Sequence, residues 1–287
     1  MAQAGKKADF IKIPETPGHP QTVPVEPEKR IANTEISVVR CHVSDAEKIA
    51  EGLYTCFPEG WWAPREPPAL RPPEHSTRIK RLAKRLAPSF TNPDMHFIKA
   101  VLNSTGETVG IAGWHGPGMP AHNIWRRSAA DFYGWNAADP PFWTPEEFAD
   151  LWSGTEMAHW DDKFSKDDAI RGELLPEPHW YLAPLFIFPE FQGRGVGKLL
   201  LDWAIEQADA TEPVTPMYLE SAPYARAVYM HVGFVPVGKV NFIRRGPAVV
   251  RGLEGSEEER NVEPDVTEKV GVVAVEKEVQ PGGGGVA

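Results

Sequence analysis

Cysteine is scarce: Cys41 and Cys56 are the only two among 287 residues, too few for a disulfide framework. Long apolar runs are missing as well. No stretch reaches the ~18 consecutive apolar residues of a membrane span, and the N-terminus lacks a secretory hydrophobic core. These absences imply a reduced intracellular compartment, cytoplasmic with the nucleus as the alternative, and no membrane partner. Positive charge is also short, with 30 Lys and Arg against 40 Asp and Glu, a net of −10. An acidic balance disfavours a nucleic-acid surface. Residues 251–287 hold nine acidic and four basic side chains, so half of that charge belongs to one solvated tail. No His, Cys, Asp and Glu cluster has metal-ligand spacing, no Ser or Cys nucleophile motif occurs, and there are no internal repeats.

Large apolar residues are few at both ends. Residues 1–34 carry prolines at 14, 17, 20, 24 and 27, and the acidic tail closes on Gly282 to Gly285. The composition predicts unstructured segments at 1–34 and 248–287 around a folded domain at 35–247. Within the tail, the apolar alternation of Val270 to Val279 is the one feature that points the other way.

Inside the domain, Glu35 to Val43 reads as a strand and Ser44-Asp-Ala-Glu47 as a capping box opening a helix towards Phe57. The proline-rich stretch 58–74 excludes regular structure. A helix from Ser76 to Ala87 follows, and its Arg78, Lys80, Arg81, Lys84 and Arg85 read as a solvated face. His96 to Leu102 and Thr108 to His115 flank the turn Asn103 to Gly106, a hairpin. Residues 116–179 are too many for a loop and imply helices, one opening at the capping box Thr144 to Glu147 and another over 155–173. The insert's tryptophans, 125, 135, 143, 152 and 160, are expected mainly to pack.

The stretch Trp180 to Ala210 organises the rest. An apolar strand, Trp180 to Phe188, stops at Pro189. Gln192-Gly193-Arg194-Gly195-Val196-Gly197 then turns directly into a helix whose only polar stripe is Lys198, Asp202, Glu206 and Asp209. A strand, a glycine turn and a helix apolar nearly all round belong at the centre of an α/β domain. The helix start offers unpaired N–H groups and a partial positive charge, and glycine lets an anion approach the backbone. A Walker loop would need glycine where Gln192 stands and Ser or Thr at Leu199. A dinucleotide fingerprint would need another glycine spacing.

Gln192-Gly-Arg-Gly195-Val-Gly197 instead resembles the Q/R-x-x-G-x-G/A loop of the GNAT N-acetyltransferase superfamily. Ala225 to Phe234, ARAVYMHVGF, resembles that family's second cofactor motif, a helix tyrosine before a Gly-Phe pair. Strands at 214–219, 234–237 and 240–244 and a helix opening near Ser221 and Pro223 and ending at Gly233 complete the family's element order. The resemblance implies an α/β GNAT fold, a mixed central sheet with splayed middle strands flanked by helices, here with a helical insert at 116–179. It implies acetyl-CoA as cosubstrate, with no metal, and an amine of a small molecule or peptide as acceptor. Gln192, Gly193, Arg194, Gly195, Val196, Gly197 and Lys198 would hold the pyrophosphate. The backbones of Leu185, Phe186 and Ile187 would pair with the pantetheine arm, and Pro184 would sit on the opened side of the splay. Tyr229 would protonate the leaving thiolate. Some relatives carry strand histidines as base, where this chain has Tyr181 and Ala183. Glu220 is then a candidate base, although capping the next helix is the preferred role, and His179 and Glu173 are further candidates. The missing histidines keep open a silent acyl-CoA-binding protein on the same scaffold, and another acyl donor or acceptor atom is a third possibility.

Overall fold

The computed structural model describes residues 27–222 and 225–247. Strand β1, Ile36–Arg40, leads through a 3-10 turn into helix α1, Ala46–Cys56. The capping interaction lies two residues earlier than the sequence signature suggests: the His42 N–H donates to Asp45 Oδ2 at 2.8 Å. Asp45 is the better placed acid because Lys99 of the adjoining sheet also pairs with it, at 2.6 Å. The proline-rich segment is not wholly irregular, since it holds a one-turn helix α2, Glu59–Trp62, and a 3-10 turn at Pro68–Leu70. Helix α3 spans His75–Leu86, and the hairpin strands are β2, Met95–Leu102, and β3, Thr108–His115.

The insert supplies α4, Ala129–Phe132, α5, Pro145–Trp152, and α6, Met157–Leu174. Thr144 caps α5 as the sequence predicts, its Oγ1 accepting from the Glu147 N–H while the Glu147 carboxylate takes the Thr144 N–H. All five insert tryptophans are buried. The chain closes with β4, Trp180–Ile187, α7, Val196–Asp209, β5, Met217–Glu220, α8, Arg226–Met230, β6, Val235–Pro236, and β7, Asn241–Arg244. Ser221 does not cap α8; its hydroxyl bonds to Ala222 O and the cap position is Ala225, while Pro223 lies outside the described residues. After α8, Gly233 takes φ +93°, which lets the Phe234 N–H return to Tyr229 O.

One seven-stranded sheet results, in the order β1-β2-β3-β4-β5-β7-β6. All neighbours are antiparallel except β4 and β5. That parallel pairing runs only from Trp180–Met217 to Leu182–Leu219. Beyond it β4 continues to Ile187 beside β3 alone, so the middle of the sheet splays open. Pro184 sits at the start of the opening, opposite a register shift between Ala112 and Trp114. A Cβ on Gly113 would lie 2.7 Å from Ala183 O, so the irregularity requires glycine there.

Helix α7 and Tyr229 of α8 pack on one face of the sheet. Helices α1 and α3 and much of the insert pack on the other. Gly52 allows α1 to seat against β4, because a Cβ there would fall 2.1 Å from the Phe186 ring.

Helix α3 does not present a simply solvated basic face. Arg85 is buried, and both it and Arg78 pair with the buried Glu66, at 3.0 and 2.6 Å. Arg81 pairs with Asp150 of α5. Sequence spacing on α3 cannot show that an acid from the preceding proline-rich segment folds underneath it.

The N-terminal segment expected to be unstructured overlaps the described fold at 27–34. The Ile31 N–H donates to Arg194 O at 3.2 Å, and Asn103 Nδ2 donates to Thr34 O at 2.9 Å. The alternation at Val270 to Val279 lies outside the described residues. No helix among the described residues is long and apolar enough to cross a membrane.

Candidate active site

The splay opens a cleft of about 420 Å³ that runs between β4, α7, α8 and the insert. The loop and strand positions named from the sequence line it together with Glu220 and Tyr229, Arg194 excepted. Arg194 is exposed and takes part in the fold through its carbonyl, which accepts from Ile31. His179 and Glu173 do not line the cleft; His179 is turned to its own loop, with Nδ1 2.7 Å from Glu177 O.

At one end, Gly193 and Gly195 adopt φ of +68° and +81°, which favours glycine at both. Gly195 is the N-cap of α7, so the first free N–H groups of that helix face out beside the loop. A Cβ added to Gly193 or Gly197 would meet nothing within 4 Å. Open space over bare backbone at a helix N-terminus fits a phosphate-bearing ligand. Gln192 acts on the fold here: its Nε2 donates to Ile187 O at 2.9 Å and closes the end of β4. Lys198 reaches along α7 to Asp202, at 2.7 Å.

Along the splay, β4 offers an edge that no strand pairs, although Ile187 O is already taken by Gln192 Nε2. The Phe188 N–H donates to Val109 O at 3.0 Å. The alternation of an antiparallel strand then directs the backbone groups of Phe186 to β3 and those of Leu185 and Ile187 into the opening. Phe186 contributes its ring to the core under α1 instead. Two of the three expected backbone positions therefore face the cleft.

At the other end lies Glu220, the last residue of β5. On a strand, Tyr218 and Glu220 share a face, and the β4–β5 register sets Tyr181 beside Tyr218. Both tyrosine hydroxyls lie near the Glu220 carboxylate, whose charge acts on each. Asn123 Nδ2 donates to Tyr181 Oη at 3.2 Å, and Asn241 Nδ2 donates to Tyr218 Oη at 2.6 Å. With their oxygens engaged as acceptors, both hydroxyls are left with a proton to donate. Glu220 Oε1 is buried without a hydrogen-bond partner among the described residues. Burial, followed by the nearby Asp167 carboxylate, raises the Glu220 pKa to about 7, against the lowering pull of Lys163 and the Tyr181 hydroxyl. The carboxylate does not cap α8, whose N-cap is Ala225.

Tyr229 lines the cleft from the opposite face of the sheet, wedged between Phe234 and Phe242 with ring centroids 6.2 and 6.5 Å away. Sequence reasoning missed the pair Tyr181 and Tyr218, the two asparagines behind them, and Lys163 and Asp167 of α6. Tyr218-x-Glu220 on a strand was the available signal, since a spacing of two fixes a common face. Nothing in the sequence brings Asn123 to Tyr181. Among the described residues no group of three or more His, Cys, Asp and Glu side chains is placed to hold a metal ion.

A family model described as an acetyltransferase (GNAT) domain matches residues 160–251. No curated protein sequence matches the chain significantly. Among solved structures, a histone acetyltransferase HPA2-related acetyltransferase from Corynebacterium glutamicum is 20% identical with a TM-score of 0.44, covering 74% of this chain and 97% of its own. The ribosomal-protein-S5-alanine acetyltransferase of Vibrio fischeri is 12% identical with a TM-score of 0.40, covering 75% and 96%. A spermidine N-acetyltransferase chimera from Vibrio cholerae and a human enzyme is 11% identical at 0.41, covering 77% and 99%. Likenesses this distant do not bear on the acceptor or the mechanism. The family match spans most of α6, then β4, the glycine loop, α7 and β5, elements that build the cleft, so residues 160–251 are similar to a GNAT acetyltransferase domain.

Proposed function

We propose that the protein is an N-acetyltransferase that moves the acetyl group of acetyl-CoA directly to an amine. The carrying observation is one continuous cleft that joins the glycine loop, the unpaired edge of β4 and the Glu220 carboxylate. The domain would span 35–247 with its insert at 116–179. The loop 192–198 would hold the pyrophosphate, and the edge groups of Leu185 and Ile187 would pair with the pantetheine arm.

When bound, acetyl-CoA supplies a thioester, so the reaction forms a C–N bond, breaks a C–S bond, takes a proton from the amine and gives one to the thiolate. An alkylamine with pKa ~10.4 is almost wholly protonated at neutral pH, so a proton acceptor is needed. Glu220 suits that role, being held near neutral pKa at the cleft with Oε1 left without a hydrogen-bond partner among the described residues. Tyr229 would donate to the thiolate from the other face; a phenol near ~10 and a thiol near ~8.5 differ by roughly 2 kcal/mol, a small step. The lack of strand histidines, which favours a silent acyl-CoA-binding protein, loses force once Glu220 stands in the cleft.

The test is thiol release from acetyl-CoA on addition of amines, with calorimetry of acetyl-CoA binding beside it. Tight binding with no thiol release from any amine sinks the enzyme and favours the silent binder.

A further inference from the structure

On the face of the sheet that carries Glu220, the cleft ends in an aromatic wall. Phe57 and Trp61 come from α1's end and α2, Trp125 from the insert, and Trp160 and Phe164 from α6. The rings contact one another edge-on: Phe57 and Trp61 are 5.6 Å apart, and Trp61 lies 6.4 Å from both Trp160 and Phe164. Along α6 the residues Trp160, Lys163, Phe164 and Asp167 fall at helical spacings of three and four, so one helix face supplies both the wall and a carboxylate. Asp167 and Glu220 are the two carboxylates lining the cleft among the described residues, and Asp167 already pairs with Lys163.

An aromatic wall could receive either a ring or a second cation. Charge decides between them. The Arg65 guanidinium stands over the Trp61 ring at 4.5 Å, and that of Arg85 over Trp160 at 4.7 Å. Arg85 is paired with Glu66, and Lys163 of the lining with Asp167, whereas Arg65 has no carboxylate partner among the described residues. A second ammonium at the wall would meet the Arg65 guanidinium on the Trp61 face, whereas an uncharged ring meets only apolar and polarisable surface. The carboxylate left for the single ammonium of a mono-amine is Glu220, since Asp167 is taken by Lys163.

We infer that the acceptor is an arylalkylamine, a primary amine on a short uncharged chain that ends in an aromatic ring, with the ring against Trp61, Trp160 and Phe164 and the nitrogen at Glu220. This rests on the acetyl-transfer reading above and adds the acceptor class to it. Burying a phenyl ring at the usual apolar rate predicts a kcat/KM for 2-phenylethylamine about 30- to 100-fold above that for ethylamine. Spermidine, which carries extra ammonium groups, and an alanyl peptide should both fall below 2-phenylethylamine.

The experiment measures thiol release with acetyl-CoA and these four amines, and amine binding by tryptophan fluorescence. Trp61→Ala, at a half-buried position, should shrink the preference for 2-phenylethylamine over ethylamine about tenfold. That ratio does not depend on the fraction of folded enzyme. Trp61→Phe should restore most of the preference. Turnover that favours spermidine or the peptide overturns the acceptor class and leaves acetyl transfer standing. So does an unchanged ratio in Trp61→Ala. Saturable 2-phenylethylamine binding without thiol release supports the pocket and sinks the transfer reaction. Neither binding nor turnover of 2-phenylethylamine sinks the inference, whatever the other amines do.

Discussion

Tyr181 and Tyr218 are register partners across the one parallel pairing of the sheet, with ring centroids 5.9 Å apart, and the Glu220 carboxylate acts on both. The pairing ends one residue later, at Leu182 and Leu219. The last ordered step of the β4–β5 ladder therefore positions the carboxylate at the point where the sheet opens. Asn123, from the insert, and Asn241, from β7, orient the two hydroxyls from either side. Insert and sheet thus meet at the same residue.

Glu220 should leave a pH signature in both rate and stability. As the base it must be ionised, so kcat/KM should rise through pH 7 and level off above it, and Glu220→Gln should lose that limb along with about 10²- to 10⁴-fold of the rate. For stability, the folded pKa of about 7 lies above an ordinary carboxylate near 4.5. Between those values the unfolded chain loses a proton that the folded protein keeps, so stability falls as pH rises across that window. Glu220→Gln has no such proton. Its melting temperature relative to the parent should climb from pH 4.5 to pH 7 and then hold constant. A pH-independent difference would mean that Glu220 is not a buried, raised carboxylate.

Gly197 gives the sharper test of the loop. At Gly195 a side chain would strain the backbone, because φ is +81°, and folding and binding would fail together. Gly197 sits within α7 with ordinary φ, and a Cβ there meets nothing within 4 Å. Gly197→Val should keep its helix and fold while its methyl groups occupy the space over the first free N–H groups. Loss of charge-assisted hydrogen bonds worth roughly 1.5–3 kcal/mol predicts acetyl-CoA binding weaker by about 10- to 100-fold. Unchanged affinity by calorimetry would move the phosphate away from this helix.

The ends separate at Pro27. Deleting residues 1–26 and 251–287 should leave the melting temperature and any transferase rate nearly unchanged, because their sequences offer little large apolar surface. Extending the N-terminal deletion through residue 34 removes Ile31, which packs on the core of the α7 face and bonds to the loop at Arg194. Thermal denaturation should then drop by a few degrees, of the order of ~1 kcal/mol in a domain of this size. Equal melting temperatures for the two deletions would deny residues 27–34 a structural role.

The strands, the hairpin, the capped α5 and the glycine turn were legible because each rests on local spacing: alternation, a box of four residues, glycines at a helix start. That Tyr229 and most of the loop line the cleft follows from motif positions, and Glu220 from its place at a strand end, although the sequence favours a capping role for it. Their surroundings were not legible. That Asn123 meets Tyr181, or that Trp61 meets Trp160, depends on contacts across 58 and 99 positions of chain, 181 less 123 and 160 less 61, which no local pattern encodes. Phe186 illustrates the middle ground. Its place on β4 follows from sequence, but whether its backbone faces β3 or the opening depends on the Phe188–Val109 hydrogen bond.

The charges of α3 depart furthest from the solvated face that the sequence suggests. Glu66 is 2% exposed and accepts from Arg78, Arg85 and the Tyr54 hydroxyl. Arg85 also lies over Trp152 and Trp160, at 4.5 and 4.7 Å, so the ion cluster supports the aromatic wall from behind. One carboxylate thus serves two guanidinium groups that have left water. Glu66→Gln keeps the shape and removes the negative charge they share. Breaking a buried pair from one side typically costs about 3–5 kcal/mol, because the remaining charge stays buried and uncompensated. Chemical denaturation should show a loss of that size for Glu66→Gln. Lys48→Gln, which breaks the exposed pair between Lys48 and Glu51 on α1, should cost under about 1 kcal/mol. If Arg85 holds Trp160 in place, Glu66→Gln should also weaken binding of an aromatic amine more than binding of acetyl-CoA. A loss no larger than that of the surface pair would mean that water reaches the guanidinium groups and that α3 is solvated after all.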